Sequence, residues 1–217
     1  VSGGQKDKLT HAGIYGIDAS MRTLGELYET DINYYARLNF TSLIDIVDTL
    51  GGVDVYSELA FQTGTESGCI VDVQEGWNHL NGEQALAFSR ERHALADGDN
   101  QRGKNQQAVL TAMLRKCLSP TMLLKAGTIM NQVSSEVETN LSQAQINSLI
   151  KYQLNKNATW TIQSVAATGT NDKGYCYSSG DTPLFIMDPD EDVVQEIIDL
   201  ANVVEESGTL KDGESLN

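Results

Sequence analysis

Basic residues are scarce in this chain: 15 Lys and Arg stand against 30 Asp and Glu, giving a formal net charge of −15 and a pI near 4.4. Nucleic acid is held mainly by clustered cations, so no nucleic-acid partner is expected. Long apolar runs are missing too. None approaches the roughly 18–20 residues a membrane helix needs, and no signal peptide opens the sequence. Val1 to Lys8 are polar and Gly-rich and read as the middle of a loop, so a longer native chain is expected. The three cysteines, Cys69, Cys117 and Cys176, form neither a CxxC pair nor a Cys/His metal cluster. Three buried thiols fit this spacing, and so does one disulfide with one free thiol, which leaves the redox compartment open. Repeats and low-complexity tracts are also lacking. What remains is ordinary globular composition, 217 residues with 40% hydrophobic and 21% charged, enough to bury a core without metal or disulfide staples.

Periodicity predicts the elements. Ile14–Tyr28 reads as a helix, and the alternation of Ile32, Tyr34, Ala36, Leu38 and Phe40 as a strand. Thr41 is placed to cap a helix running to Leu50, stopped by Gly51-Gly52, and Val53–Tyr56 is a short strand. Ser57–Asn81 reads as an irregular excursion with a short hairpin near Cys69–Val73. Helices follow at Gly82–Phe88, Asp99–Leu118, Pro120 to about Val137, and from a Ser142 cap to Leu154. Trp160–Ala166 alternates like a strand, Leu184–Met187 is a second strand candidate, and Asp188-Pro189 opens a last helix with proline at its first position. Trp77 and Trp160 are expected in the core. The whole predicts an α/β fold, a mixed β-sheet with helices on both faces, as one domain over residues 1–206 with 207–217 as a tail.

Four of the few basic residues, Arg90, Arg92, Arg102 and Lys104, crowd into one stretch with His93. A local basic site in an acidic protein reads as a discrete anion pocket. Arg90 and Arg92 would diverge by about 200° on a helix but share a face of an extended segment. A helix that stops near Phe88 would therefore aim both at one ligand. Asp99 can cap the next helix, where Arg102 and Gln106 lie on one face. Arginine forks bind phosphate bidentately, and three of them suit a diphosphate. The alternative is a solvated surface network in which Glu91, Asp97 and Asp99 pair with these arginines and contribute little.

The same block carries a resemblance. Leu80-Asn81-Gly82-Glu83-Gln84-Ala85-Leu86-Ala87, then Arg90 and Arg92, then Gly98-Asp99, Arg102 and Gln106-Gln107, resemble the signature of the LytR-CpsA-Psr family of cell-wall enzymes. Lys8-Leu9-Thr10-His11-Ala12, Asn33-Tyr34-Tyr35 with Asn39-Phe40, and Leu50-Gly51-Gly52-Val53-Asp54-Val55 precede it in family order. The likeness is close over Lys8–Gln107 and looser through Thr168-Gly169-Thr170 and Tyr177 to the Pro189 helix.

This resemblance implies an α/β/α sandwich of the LytR-CpsA-Psr type and a phosphotransferase. It would move a teichoic acid or capsule type glycopolymer from a polyprenyl (pyro)phosphate to peptidoglycan and release the lipid phosphate. By position, Arg90, Arg92, Arg102, Gln106 and Lys8 would bind the pyrophosphate, while Asp99, with Arg102, would serve the reacting groups. The family's Mg2+ or other divalent metal is held by aspartates upstream of the Lys8 segment, so no metal ligand is expected within this chain, which would then be inactive alone. An N-terminal membrane anchor and a place on the outer face of the cytoplasmic membrane, in the wall of a Gram-positive-type bacterium, are implied as well. Two other readings compete: a non-catalytic polyprenyl-phosphate or wall-polymer binding module with an attenuator role, and a structural surface domain.

Overall fold

The computed structural model describes residues 4–94, 98–133, 135–156 and 160–207, without the side chains of residues 98, 99, 130–133 and 207. In chain order the helices are α1 (Ile17–Tyr28), α2 (Phe40–Thr49), α3 (Gly82–Arg90), α4 (Gly98–Cys117), α5 (Pro120–Leu124), α6 (Ala126–Val133), α7 (Gln143–Lys156) and α8 (Glu191–Ser207). The strands are β1 (Ala36–Arg37), β2 (Val53–Ser57), β3 (Phe61–Gln62), β4 (Asp72–Val73), β5 (Gly76–Leu80), β6 (Glu138–Thr139), β7 (Gly169–Tyr175) and β8 (Pro183–Pro189). They join as four antiparallel pairs, β1–β6, β2–β5, β3–β4 and β7–β8. Two compact units result, Ala36–Ala166 and Val1–Tyr35 with Ala167–Asn217.

The larger unit is built around the β2–β5 hairpin, with Val53 opposite Leu80 and Tyr56 opposite Trp77. Val53, Val55 and Ser57 face inward while Asp54 and Tyr56 face out, the period-two alternation of a half-buried strand. The inward side meets Val47 of α2 and Leu50 just after it, Ala85, Ala87 and Phe88 of α3, and Val109 and Met113 of α4. Each large apolar side chain buried here contributes about 2 kcal/mol. Asn39 starts α2 by accepting the Ser42 backbone N–H at 2.9 Å. Gly51 and Gly52 stop it at φ +75° and +83°, where glycine is unstrained. α3 opens with a reciprocal Asn81/Gln84 capping box, and its Gly82 N–H reaches Asp48 Oδ1 at 2.8 Å.

In the smaller unit a 3₁₀ turn over Leu9–Tyr15 leads into α1, which packs on α8. Thr30 Oγ1 donates to Glu205 Oε1 at 2.6 Å. The β7–β8 hairpin pairs Gly169 with Pro189 through Tyr175 with Pro183.

The expected mixture of helices and strands is present, but several elements differ from their prediction. Only Ala36–Arg37 of the Ile32–Phe40 alternation forms ladder bonds, because Tyr34, Leu38 and Phe40 stay exposed instead of covering a core. Asn39 rather than Thr41 caps α2. The Pro120–Val137 helix divides at Lys125. Trp160–Ala166 is not a strand. Side chains hold it instead: the Trp160 indole donates to Gln153 Oε1 at 2.6 Å, and the Gln107 amide to the Val165 carbonyl at 3.2 Å. Pro189 closes β8, and α8 begins after Asp190, whose carbonyl accepts the Val193 and Val194 N–H groups. Neither tryptophan is in the core, with Trp77 66% and Trp160 50% exposed. All three cysteines are free thiols and only Cys176 is buried. The tail, beyond Ser207, lies outside the described residues.

Candidate functional site

Glu91 organises the end of α3. It is fully buried, in extended conformation, between the half-buried Arg90 and the exposed Arg92. One carboxylate oxygen accepts the backbone N–H groups of Arg92, His93 and Ala94 at 2.7–2.9 Å. The other accepts the Gly64 N–H at 2.6 Å and the Ser67 hydroxyl at 3.0 Å. Burial by itself would raise the pKa of this carboxyl, but the N–H groups of Ala94, Gly64, His93 and Arg92 outweigh it and lower the value to about 2. Glu91 is therefore a fixed internal anion rather than a member of a solvated network. Glu91 turns inward; Arg90 is the last residue of α3, so the helix runs past the stop expected near Phe88, and Arg92 follows Glu91 as an exposed residue.

Arg90 stacks on Phe40, its guanidinium carbon 5.0 Å from the ring centroid. Phe40, the first residue of α2, lines a groove of about 370 Å³ with Leu38, Leu86, Leu110 and Gln106. The lining is mostly apolar with the Gln106 carboxamide in it, and the Arg90 guanidinium rests on the Phe40 ring. Arg102 lies one turn before Gln106 on α4, on the same side. α4 is fastened to α3 by Asn105, which is buried and donates to the Phe88 carbonyl at 3.1 Å, while Gln101 donates to its Oδ1 at 3.1 Å. Sequence reasoning missed Glu91 as an internal anchor and Asn105 as a staple. Their only signal was a polar residue at an inward position of its element.

Asp99 falls within the first turn of α4 rather than at the cap, since the helix already includes Gly98; its side chain, like all of Asp97, lies outside what is described. Lys8 belongs to the smaller unit, at the entry to the 3₁₀ turn. Its neighbour Asp7 has a fully buried side chain. That carboxylate accepts the Lys8 N–H at 2.7 Å, the Tyr15 hydroxyl at 2.9 Å, and both the N–H and hydroxyl of Ser178 at 2.8 and 2.9 Å. Burial raises the Asp7 pKa, yet these hydrogen bonds, the Ser178 and Tyr15 hydroxyls foremost, bring it down to about 2. Asp7, His11 and Ser178 look like a nucleophile, base and acid set. However, both Asp7 and Ser178 meet His11 at Nδ1, at 3.2 and 2.8 Å, whereas proton relay needs the hydroxyl and the acid on opposite ring nitrogens. The cluster is a structural knot that fixes the Lys8 backbone.

A second cavity in the larger unit, about 260 Å³, is almost wholly apolar and lined by Leu50, Met122, Ile129, Ile146, Ile150 and Trp160 among others. For a metal, the described residues hold no group of three or more His, Cys, Asp or Glu with the necessary proximity. The divalent ion implied by the resemblance therefore finds no fitting ligand set among them, and no step below runs through it.

This arrangement of helices and short antiparallel pairs is a known one. It is shared with B. subtilis TagV at a TM-score of 0.73, with 24% identity over 93% of this chain and 75% of that one. TagT bound to LIIa-WTA gives 0.69, with 26% identity over 95% and 74%. A model of the LytR_cpsA_psr family matches residues 1–186, and the chain belongs to that family. Among relatives in sequence, the polyisoprenyl-teichoic acid–peptidoglycan teichoic acid transferase TagU of Bacillus mycoides (strain KBAB4) is 36% identical over 147 residues, 67% of this chain and 47% of the relative. TagU of Oceanobacillus iheyensis (strain DSM 14371) is 28% identical over 184 residues, 82% and 56%. The chain spans about half the length of these curated relatives.

Proposed function

We propose that this chain is the catalytic part of a transferase that moves a teichoic acid type glycopolymer from a polyprenyl pyrophosphate to peptidoglycan. The observation that carries the reading is the two-natured groove lining: apolar Leu38, Phe40, Leu86 and Leu110 beside the polar Gln106, with the Arg90 guanidinium stacked on Phe40. A diphosphate with an isoprenoid tail has the same division. In this reading Arg90, Arg92, Arg102 and Gln106 hold the pyrophosphate. An acceptor hydroxyl attacks the phosphorus that bears the polymer. The bond from that phosphorus to the bridging oxygen breaks, and lipid phosphate leaves. Asp99 takes the hydroxyl proton. Fixed cations stabilise the charge that develops on the phosphoryl oxygens, Arg102 nearest the reacting centre. A capsule polymer would be handled by the same chemistry.

The names of the relatives support the donor and acceptor classes. A lipid-linked donor and a wall acceptor meet outside the cytoplasmic membrane, so the longer protein is proposed to be anchored there. No helix among the described residues is long and apolar enough to cross a membrane. The test is titration with a polyprenyl pyrophosphate analogue. Arg90→Lys keeps the charge but loses the planar fork, so affinity should fall about tenfold or more. Equal affinity of the variant and the parent would overturn specific diphosphate recognition.

A further inference from the structure

The outward face of the β2–β5 pair carries two exposed aromatic rings. Tyr56 and Trp77, opposite each other in register, form an edge-to-face pair with ring centroids 5.5 Å apart. They remain 52% and 66% exposed. Isolated exposed aromatics are ordinary. These two instead form one wall of a cleft of about 250 Å³ floored by Ala108 and Ala112 of α4. Lys104 and Arg115 lie on its helical side and Ser164 on the extended segment that the Gln107 amide holds in place. Lys104 and Arg115 are eleven residues apart on α4, so the cleft follows the helix for about 16 Å.

Exposed aromatic rings rimmed by hydroxyl, amide and charged groups are suited to sugar. A pyranose offers a face of weakly positive C–H bonds to the electron-rich face of an indole, and its hydroxyls need polar partners around the rim. Charge narrows the choice. In a chain of net charge −15 the cleft holds two cations and a single carboxylate, Asp54, already engaged by His79 Nδ1 at 2.7 Å. The position narrows it further. Lys104, Ala108, Thr111 and Arg115 form one stripe of α4, whereas Gln106, Leu110 and Met113 line the lipid-type groove from another. One helix separates the two sites.

We propose that this cleft is the saccharide subsite for the acceptor, taking a wall glycan strand with a sugar ring on Trp77 and its acidic peptide stems toward Lys104 and Arg115. The identity of the glycan as acceptor rests on the transferase reading above; the saccharide chemistry does not. Co-sedimentation of the chain with peptidoglycan sacculi stripped of teichoic acid tests it. Trp77→Ala should lose about tenfold in affinity and Trp77→Phe should retain most of it. Because the ring is exposed, both should melt with the parent. Lys104→Ala with Arg115→Ala should weaken binding independently, while Arg90→Lys leaves it unchanged. In a Trp160→Phe background Trp77 is the one indole, and its emission should shift on titration with soluble muropeptides. Unchanged sedimentation of both Trp77→Ala and the Lys104/Arg115 double variant would overturn the proposal. So would an equal loss of polyprenyl pyrophosphate analogue affinity in Trp77→Ala, or equal binding of soluble teichoic acid fragments, since either assigns the cleft to the donor. Failure of the Arg90→Lys titration alone would remove the donor site and leave this one standing.

Discussion

Glu91 lies between two arginines, and its carboxylate is consumed by four backbone N–H groups and a hydroxyl. The folded chain therefore holds it as an anion far more strongly than the unfolded chain does. Its pKa falls from 4.5 to about 2, so its contribution is complete above the ordinary glutamate range and disappears as pH falls from about 4.5 through 2. Glu91→Gln keeps the shape but places an amide N–H₂ among donors. It should destabilise by about 3 kcal/mol at pH 7. The gap in melting temperature between variant and parent should narrow steadily between pH 4.5 and 2. A gap that stays constant over that range would show that the Glu91 charge contributes nothing. Arg90 lies at the opposite pole of reactivity. Its guanidinium rests on Phe40, so Phe40→Leu should weaken diphosphate binding by about two- to fivefold through loss of the stacking surface, with little change in stability because the ring is exposed.

At the scale of elements, α2 and α3 meet through glycine. A Cβ at Gly82 would collide with the backbone of Ile44, whereas one at Gly103 on α4 would meet nothing within 4 Å. The same substitution should therefore have opposite signs. Gly82→Ala should destabilise by about 2 kcal/mol, lowering the melting temperature by roughly 4–8 °C. Gly103→Ala, inside a helix, should stabilise by about 1 kcal/mol. Thermal melts of both variants decide it. Legibility follows the same division. Helices with strong apolar periodicity and local caps, such as α2, α3 and α7, are readable because their cause lies within a few residues. β5 and β7 are not: Gly76–Leu80 and Gly169–Tyr175 lack alternation, and a distant partner strand makes them strands. The arginine block was legible as a motif, although α3 runs past the expected stop near Phe88; Arg90 rests on Phe40, which lines one groove with Gln106. Glu91 and Asn105 were hidden because burial of a polar side chain is decided by the elements that close over it.

For the whole molecule, −15 charges must be reconciled with the proposed lipid-linked substrate. Anionic lipid surfaces repel such a chain within about a Debye length, roughly 8 Å at physiological salt. Without an anchor it should bind phosphatidylglycerol vesicles no better than neutral ones, and lowering the salt should weaken rather than strengthen the association; flotation assays read this directly. In cells, the longer protein should be digested by protease added to intact, wall-stripped bacteria. Protection from protease would place the domain on the wrong side of the membrane for its proposed substrates.

The carboxylate shared by residues 64, 67 and 92–94 has a further consequence for engineering. Two stretches nearly thirty residues apart answer to one anion, so the arginine pair is not a portable peptide. A graft of the Ser89–Ala94 turn onto another scaffold would carry the guanidinium groups but not the loop that completes their support, and the turn would relax. The smallest transplantable unit reaches from Gly64 to the Asn105 staple, and a design that recombines homologous pieces should place its crossovers outside that span.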